Sequence, residues 1–241
     1  MKKRTLFFMV ALLGLFASCT SEQNGADEKQ PTNNPVDQIQ LDSEIMTPEV
    51  LWSFGRVSGI QLSPDKKQML FRVTFYDVEN NSGNGELFIM PVDGGEAKNI
   101  TQTPNSEFNA RWRPDGEKIG YLAAKDGEVQ LWEMNPDGSG KQKISSVEGG
   151  MNGFEYAPSQ EKILYIQEVK MDQSVQDIHP DLPKANARIE TDLMYRHWDK
   201  WHDYKYSHIF VADYDGNSVS NSKDIMEGEN YHAPLKPFGG M

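Results

Sequence analysis

Cysteine is all but absent from this 241-residue sequence: Cys19 is its single example, so no disulfide can form within the chain and stability must come from burial. Positive charge is scarce too. Lys and Arg number 24 against 36 Asp and Glu, a formal net charge of -12. That balance argues against a phosphate-binding surface, and so against nucleic acid as a partner. Long hydrophobic runs are also lacking. The one sustained example, residues 5–16, is too short to serve as a mature membrane-spanning helix.

What surrounds that run has the form of an export signal. Met1, Lys2, Lys3 and Arg4 make a basic start, and Ala17, Ser18 and Cys19 follow the apolar stretch. Small residues directly before a cysteine resemble a bacterial lipobox, with Phe16 in the place usually held by Leu and Leu15 one earlier. The expectation is a signal peptide over 1–18 and lipidation of Cys19. It makes the chain an exported periplasmic or outer-membrane lipoprotein of a Gram-negative bacterium, with the membrane as a partner through its anchor. Residues 19–44, with Ser21, Glu22, Asn24, Gly25, Pro31 and Pro35, have too few apolar side chains to bury a face and read as a flexible tether.

From about residue 50 the chain repeats. Gly59-Ile60-Gln61-Leu62-Ser63-Pro64-Asp65, Ala110-Arg111-Trp112-Arg113-Pro114-Asp115-Gly116 and Gly153-Phe154-Glu155-Tyr156-Ala157-Pro158-Ser159 each read as a short strand entering a tight turn. A second half follows each: Glu86-Leu87-Phe88-Ile89, Gln130-Leu131-Trp132-Glu133 and His208-Ile209-Phe210-Val211, ending in Asp93-Gly94, Asp137-Gly138 and Asp215-Gly216. Pro64 and Pro114 lie 50 residues apart, Pro114 and Pro158 44, and Asp93 and Asp137 44. Four short strands per repeat of that length predict an all-β β-propeller. The blades run over about 50–101, 102–147 and 148–225, inside a domain spanning 45–241. Too few blades are present to close a ring, and 226–241 reads as the start of the next.

The run Ser63-Pro64-Asp65 with its Asp93-Gly94-Gly95 turn resembles the WD-like propeller repeat of bacterial peptidases and periplasmic binding proteins. A sharper likeness lies in the third unit. Leu193-Met194-Tyr195-Arg196-His197-Trp198-Asp199-Lys200-Trp201, opened by Asp192, together with Tyr206-Ser207-His208, is similar to the dipeptidyl peptidase V branch of the prolyl oligopeptidase family. The ending Pro234-Leu235-Lys236-Pro237-Phe238-Gly239-Gly240 resembles that branch's lead-in to a fourth blade. The resemblance implies a serine exopeptidase whose propeller precedes an α/β-hydrolase domain carrying a Gly-x-Ser-x-Gly elbow. No such elbow occurs here: Ser58 and Ser139 stand in runs of the wrong spacing, so no catalytic residue is expected in this chain.

The implied role is to gate or orient peptide substrates for that absent hydrolase domain, which is the expected partner. The alternative is a non-catalytic periplasmic scaffold or binding propeller. The candidate substrate-binding residues are Asp192, Tyr195, Arg196, Trp198, Asp199 and Trp201. In a related branch an Asp-Trp-x-Tyr run and an acid pair bind the substrate amine; here Arg196 and His197 occupy the acids' places, with Asp199 and Asp203 the nearest carboxylates. The competing reading packs this insert against a neighbour, with Arg196 paired to Asp199. No cofactor or metal is expected. His197, His202 and His208 are spaced five and six apart, unsuited to one helix or strand face, and Asp213, Asp215 and Asn217 lack the glycine a calcium loop needs at Ser218.

Overall fold

The computed structural model describes residues 44–233, apart from 126, 192 and 194 and the side chain of His197. The signal peptide, Cys19, the tether up to residue 43, Asp192 and the 234–241 tail all lie outside the described residues.

After a short helix α1 (Pro48–Ser53), whose N-cap Thr47 hydroxyl accepts the Val50 amide, the regular structure is almost all strand. The first sheet is β1 (Arg56–Leu62), β2 (Gln68–Asp77), β3 (Ser82–Pro91) and β4 (Lys98–Asn99). The second is β5 (Glu107–Trp112), β6 (Ile119–Ala123), β7 (Gln130–Met134) and β8 (Gln142–Lys143). The third begins with β9 (Gly153–Tyr156) and β10 (Lys162–Lys170). An insert then holds helix α2 (Val175–Ile178) and the hairpin β11 (Arg196–His197) and β12 (Lys200–Trp201). The sheet finishes with β13 (Lys205–Tyr214) and β14 (Val219–Asp224). Each sheet is a four-stranded antiparallel meander, the form of a propeller blade.

The turns show why the repeat folds alike three times. The Asp65 carboxylate accepts from Ser63 Oγ at 2.6 Å and from the Lys67 amide at 3.1 Å; Asp115 accepts the Glu117 amide at 2.9 Å. The residue after Asp65, Asp115 and Ser159 takes a left-handed backbone: φ is 61° at Lys66, 77° at Gly116 and 59° at Gln160. Glycine is the natural occupant, yet two copies place a long side chain there. At the other hairpin Asp215 accepts the Asn217 and Ser218 amides at 2.9 and 2.7 Å, so its carboxylate is engaged by the turn itself.

A second device recurs in the interior. Glu86, Gln130 and His208 occupy equivalent places in each blade's third strand, and all three are buried. Glu86 accepts from the Thr103 amide at 3.1 Å and from the Thr101 hydroxyl, which itself accepts the Leu87 amide. Gln130 accepts from Ser145 Oγ at 2.6 Å and the Val147 amide at 2.9 Å, and Ser145 accepts the Leu131 amide. In the third blade the His208 ring meets Asp224 Oδ2 at 2.7 Å and the Glu229 carbonyl at 2.9 Å. Each side chain ties the segment that follows the outermost strand back onto the sheet.

Burial lies between the sheets. Leu70, Leu87, Ile100, Ile119, Tyr121 and Met134 fill the seam between the first and second. Leu122, Leu131, Phe154, Tyr156, Ile163 and Tyr165 fill the seam between the second and third. Polar contacts cross both. Arg72 Nε donates to the Glu107 carbonyl at 2.7 Å, and a Cβ on Gly85 would stand 2.1 Å from the Arg72 guanidinium. Glu133 accepts the Tyr156 and Tyr214 hydroxyls. By contrast β1 leaves Val57, Ile60 and Leu62 more than half exposed on its flank.

Candidate functional site

The third blade differs from the others in the segment between β10 and β13. Its base is pinched: the amides of Met171 and Asp172 both donate to the Tyr204 carbonyl, at 3.0 and 3.2 Å. Within it, Ser174 and Asp177 form a capping box on α2, and the Lys170 ammonium with Ser174 holds the Asp177 carboxyl below the usual carboxylate range. The β11–β12 hairpin is anchored by the His202 amide donating to the Tyr195 carbonyl at 2.8 Å and by Arg188 Nη1 donating to the His202 carbonyl at 2.6 Å.

Between this insert and the blade lies a cavity of about 1440 Å³. Tyr195, Trp198, Trp201, Tyr204, Tyr206 and Tyr231 line it, and so do the carboxylates Glu168, Asp172, Glu190, Asp199 and Asp203. Among the described residues Lys200 is the one Lys or Arg in the lining. The field inside therefore favours a cationic or amine-bearing group against aromatic walls. Asp172 organises the floor: its Oδ2 accepts the Tyr206 hydroxyl at 2.8 Å and lies 3.1 Å from His202 Nε2. His232 Nδ1 accepts the Ser207 amide at 3.0 Å, which leaves Nε2 to carry the proton of the neutral ring, and its centroid sits 5.0 Å from Tyr206. Glu190 Oε1 and the Tyr204 hydroxyl are buried in the wall with no hydrogen-bond partner among the described residues.

Four of the six candidates read from the sequence, Tyr195, Trp198, Asp199 and Trp201, come together on this cavity. Asp203, the other substitute carboxylate, joins them. Arg196 does not line it. Its guanidinium stands 5.1 Å from the Trp201 ring centroid, so it stacks on tryptophan rather than pairing with Asp199. Asp192 lies outside the described residues. Sequence reading missed Glu168, Asp172, Glu190, Tyr206 and His232. Asp172 and Tyr206 flank the two ends of the insert, so the boundaries of the third unit's long strands were the available signal. His202 reaches the cavity while His208 serves the buried latch, and among the described residues no group of three His, Cys, Asp or Glu is placed to hold a metal.

No protein-family model matches this chain. Over 198 residues, 82% of the chain, it is 41% identical to Dipeptidyl-peptidase 5 of Porphyromonas gingivalis. Over 235 residues, 98% of the chain, it is 35% identical to Dipeptidyl-peptidase 5 of Porphyromonas endodontalis. The chain spans 29% and 33% of the length of these curated relatives. Among solved structures it is similar to the acylaminoacyl peptidase of Pyrococcus horikoshii, with a TM-score of 0.54 at 16% identity, over 72% of this chain and 25% of that one. At that identity the likeness speaks for the propeller-type fold alone.

Proposed function

The chain belongs to the dipeptidyl-peptidase 5 branch of the prolyl oligopeptidase family, and from that premise we propose that it is the propeller portion of a serine exopeptidase, orienting short peptides for a hydrolase domain. The observation that carries this reading is the acidic, aromatic cavity between the insert and the third blade. A peptide's ammonium group needs carboxylates once it leaves water, and the cavity lining carries several. The sequence holds no Gly-x-Ser-x-Gly elbow, so the nucleophile belongs to a different part of the polypeptide.

The same reading makes the three described blades one arc of a larger ring. The exposed Val57, Ile60 and Leu62 of β1 form the flank that a further blade covers. Cys19 is the lipid attachment point, which tethers the propeller at a membrane surface.

The test has two parts. Calorimetric titration of the chain with short unblocked peptides is expected to give saturable binding, lost when Asp172 and Glu168 are both changed to the corresponding amides. Incubation with a dipeptide carrying a chromogenic leaving group is expected to release nothing from this chain, and to release chromophore from a polypeptide that adds the hydrolase domain. Turnover by the 241-residue chain that survives purification rejects this division of labour.

A further inference from the structure

The β11–β12 hairpin has a two-residue tip. Arg196 pairs with Trp201 and His197 with Lys200, which leaves Trp198 and Asp199 to make the turn. Trp198 has φ 56°. Tight hairpins want Gly, Asn or Asp where the backbone turns left-handed, and a bulky aromatic there stores strain. Trp198 is also 88% exposed, the most exposed of the large hydrophobic side chains described. One residue thus carries two costs, a strained backbone and an indole in water, at the rim of the cavity it lines.

The neighbouring tryptophan differs. Trp201 stacks with Tyr195 at a centroid distance of 5.9 Å, and the guanidinium groups of Arg196 and Arg188 lie 5.1 and 5.9 Å from its ring centroid. These groups engage part of its ring, which is 46% exposed and also lines the cavity. Among the described residues Trp198 has no ring or cation contact of this kind, so its π-face is available. Beside it the lining carries Glu168, Asp172, Glu190, Asp199 and Asp203.

We infer that Trp198 is a specificity-determining contact residue, held at the hairpin tip so that its indole stacks on an organic cation of a peptide entering the acidic cavity. The inference rests on the peptide-binding reading of that cavity and adds the ligand chemistry and the residue that selects for it. Tryptophan is the strongest of the aromatic rings for this contact, and the carboxylates keep the cation at the rim. An ammonium at the peptide's amino terminus and the head of a lysine side chain share this chemistry.

The experiment compares the full chain with its Trp198→Gly and Trp201→Ala variants. Each is titrated with a tripeptide carrying one lysine, its N-acetylated form, and the norleucine analogue of each. Trp198→Gly is expected to raise the melting temperature by roughly 1–3 °C, because glycine relieves the left-handed strain. It is expected to weaken binding of the cationic peptides roughly three- to thirtyfold and to leave the N-acetylated norleucine peptide unaffected. If acetylation removes the difference, the cation is the amino terminus; if norleucine removes it, the cation is the side chain. Trp201→Ala is expected to lower the melting temperature instead. Equal losses for charged and neutral peptides, unchanged affinity in Trp198→Gly, or a variant less stable than the wild type each overturn the role of Trp198 while leaving the cavity reading in place. A wild-type chain that binds none of the four peptides overturns both.

Discussion

Tyr156 in β9 donates its phenolic proton to Glu133 in β7 at 2.6 Å, so a buried carboxylate of the second blade is satisfied by the third. Tyr214 donates to the same oxygen, and burial together with this carboxylate keeps both phenols well above their ordinary pKa. Arg113 Nη1 approaches the other Glu133 oxygen at 3.9 Å. The seam thus depends on donors that a carboxylate shut away from water must have.

Tyr156→Phe removes one of those donors without changing packing volume much. The expected loss is about 1–3 kcal/mol in urea unfolding. A change below a few tenths of a kcal/mol would mean that Glu133 is satisfied by Tyr214 and Arg113 alone.

Glu107 sits on the seam between the first and second blades. One of its oxygens accepts from Thr103 Oγ1 at 2.6 Å, and the other is buried without a partner among the described residues. Burial, with the Glu86 carboxylate adding to it against the Thr103 hydrogen bond, pushes this carboxyl up to about 7. A raised acid binds its proton more tightly folded than unfolded. Its contribution to stability is therefore present below the ordinary glutamate value of about 4.5 and is lost as pH climbs toward about 7. The wild type is expected to lose on the order of 3 kcal/mol across that window relative to Glu107→Gln. Parallel melting curves for the two proteins from pH 4 to 8 contradict the assignment.

Gly138 and Gly94 hold matching places in two hairpins, at φ 89° and 95°. A Cβ at Gly138 would lie 2.6 Å from the Ile100 carbonyl oxygen of the preceding blade, whereas a Cβ at Gly94 meets nothing within 4 Å. Both alanine variants carry the backbone strain, and only Gly138→Ala carries the clash. Its destabilisation is expected to exceed that of Gly94→Ala by about 1 kcal/mol or more. Equal melting temperatures would show that the seam yields freely at this point.

Lys66 and Gln160 occupy the left-handed turn position that Gly116 fills in the second blade. Lys66→Gly and Gln160→Gly are each expected to stabilise by about 0.5 kcal/mol, the strain relieved outweighing the added freedom of the unfolded chain. Gly116→Ala is expected to cost about 1 kcal/mol. Denaturant midpoints that move the other way would place the turns' preference in their side chains.

Much of this fold could be read from the residues, because the signals are local. The two Pro-Asp turns and their Pro158-Ser159 counterpart, the Asp-Gly hairpins and the alternating strands between them set the meander three times over, and the turn geometry follows from side chains two or three residues away. The seams are another matter. Nothing near Glu133 in the sequence announces that Tyr156 and Tyr214 will meet it, since that pairing needs two blades stacked at a particular angle. The site divides in the same way. Trp198, Asp199 and Trp201 stand out as an aromatic, charged run, while Asp172 and Tyr206 join them only because the insert closes back on its own base. Arg196 was legible as a residue of interest but not in its role, because whether it meets Asp199 or Trp201 is decided by a two-residue turn.

The interior position shared by Glu86, Gln130 and His208 keeps its geometry while its chemistry changes from carboxylate to amide to imidazole. Duplicated segments are usually pictured as interchangeable parts. Here each copy closes its outer edge with a different hydrogen-bonding group at the same spot, so a blade transplanted to another position would have to bring its own partner, Thr101, Ser145 or Asp224, with it.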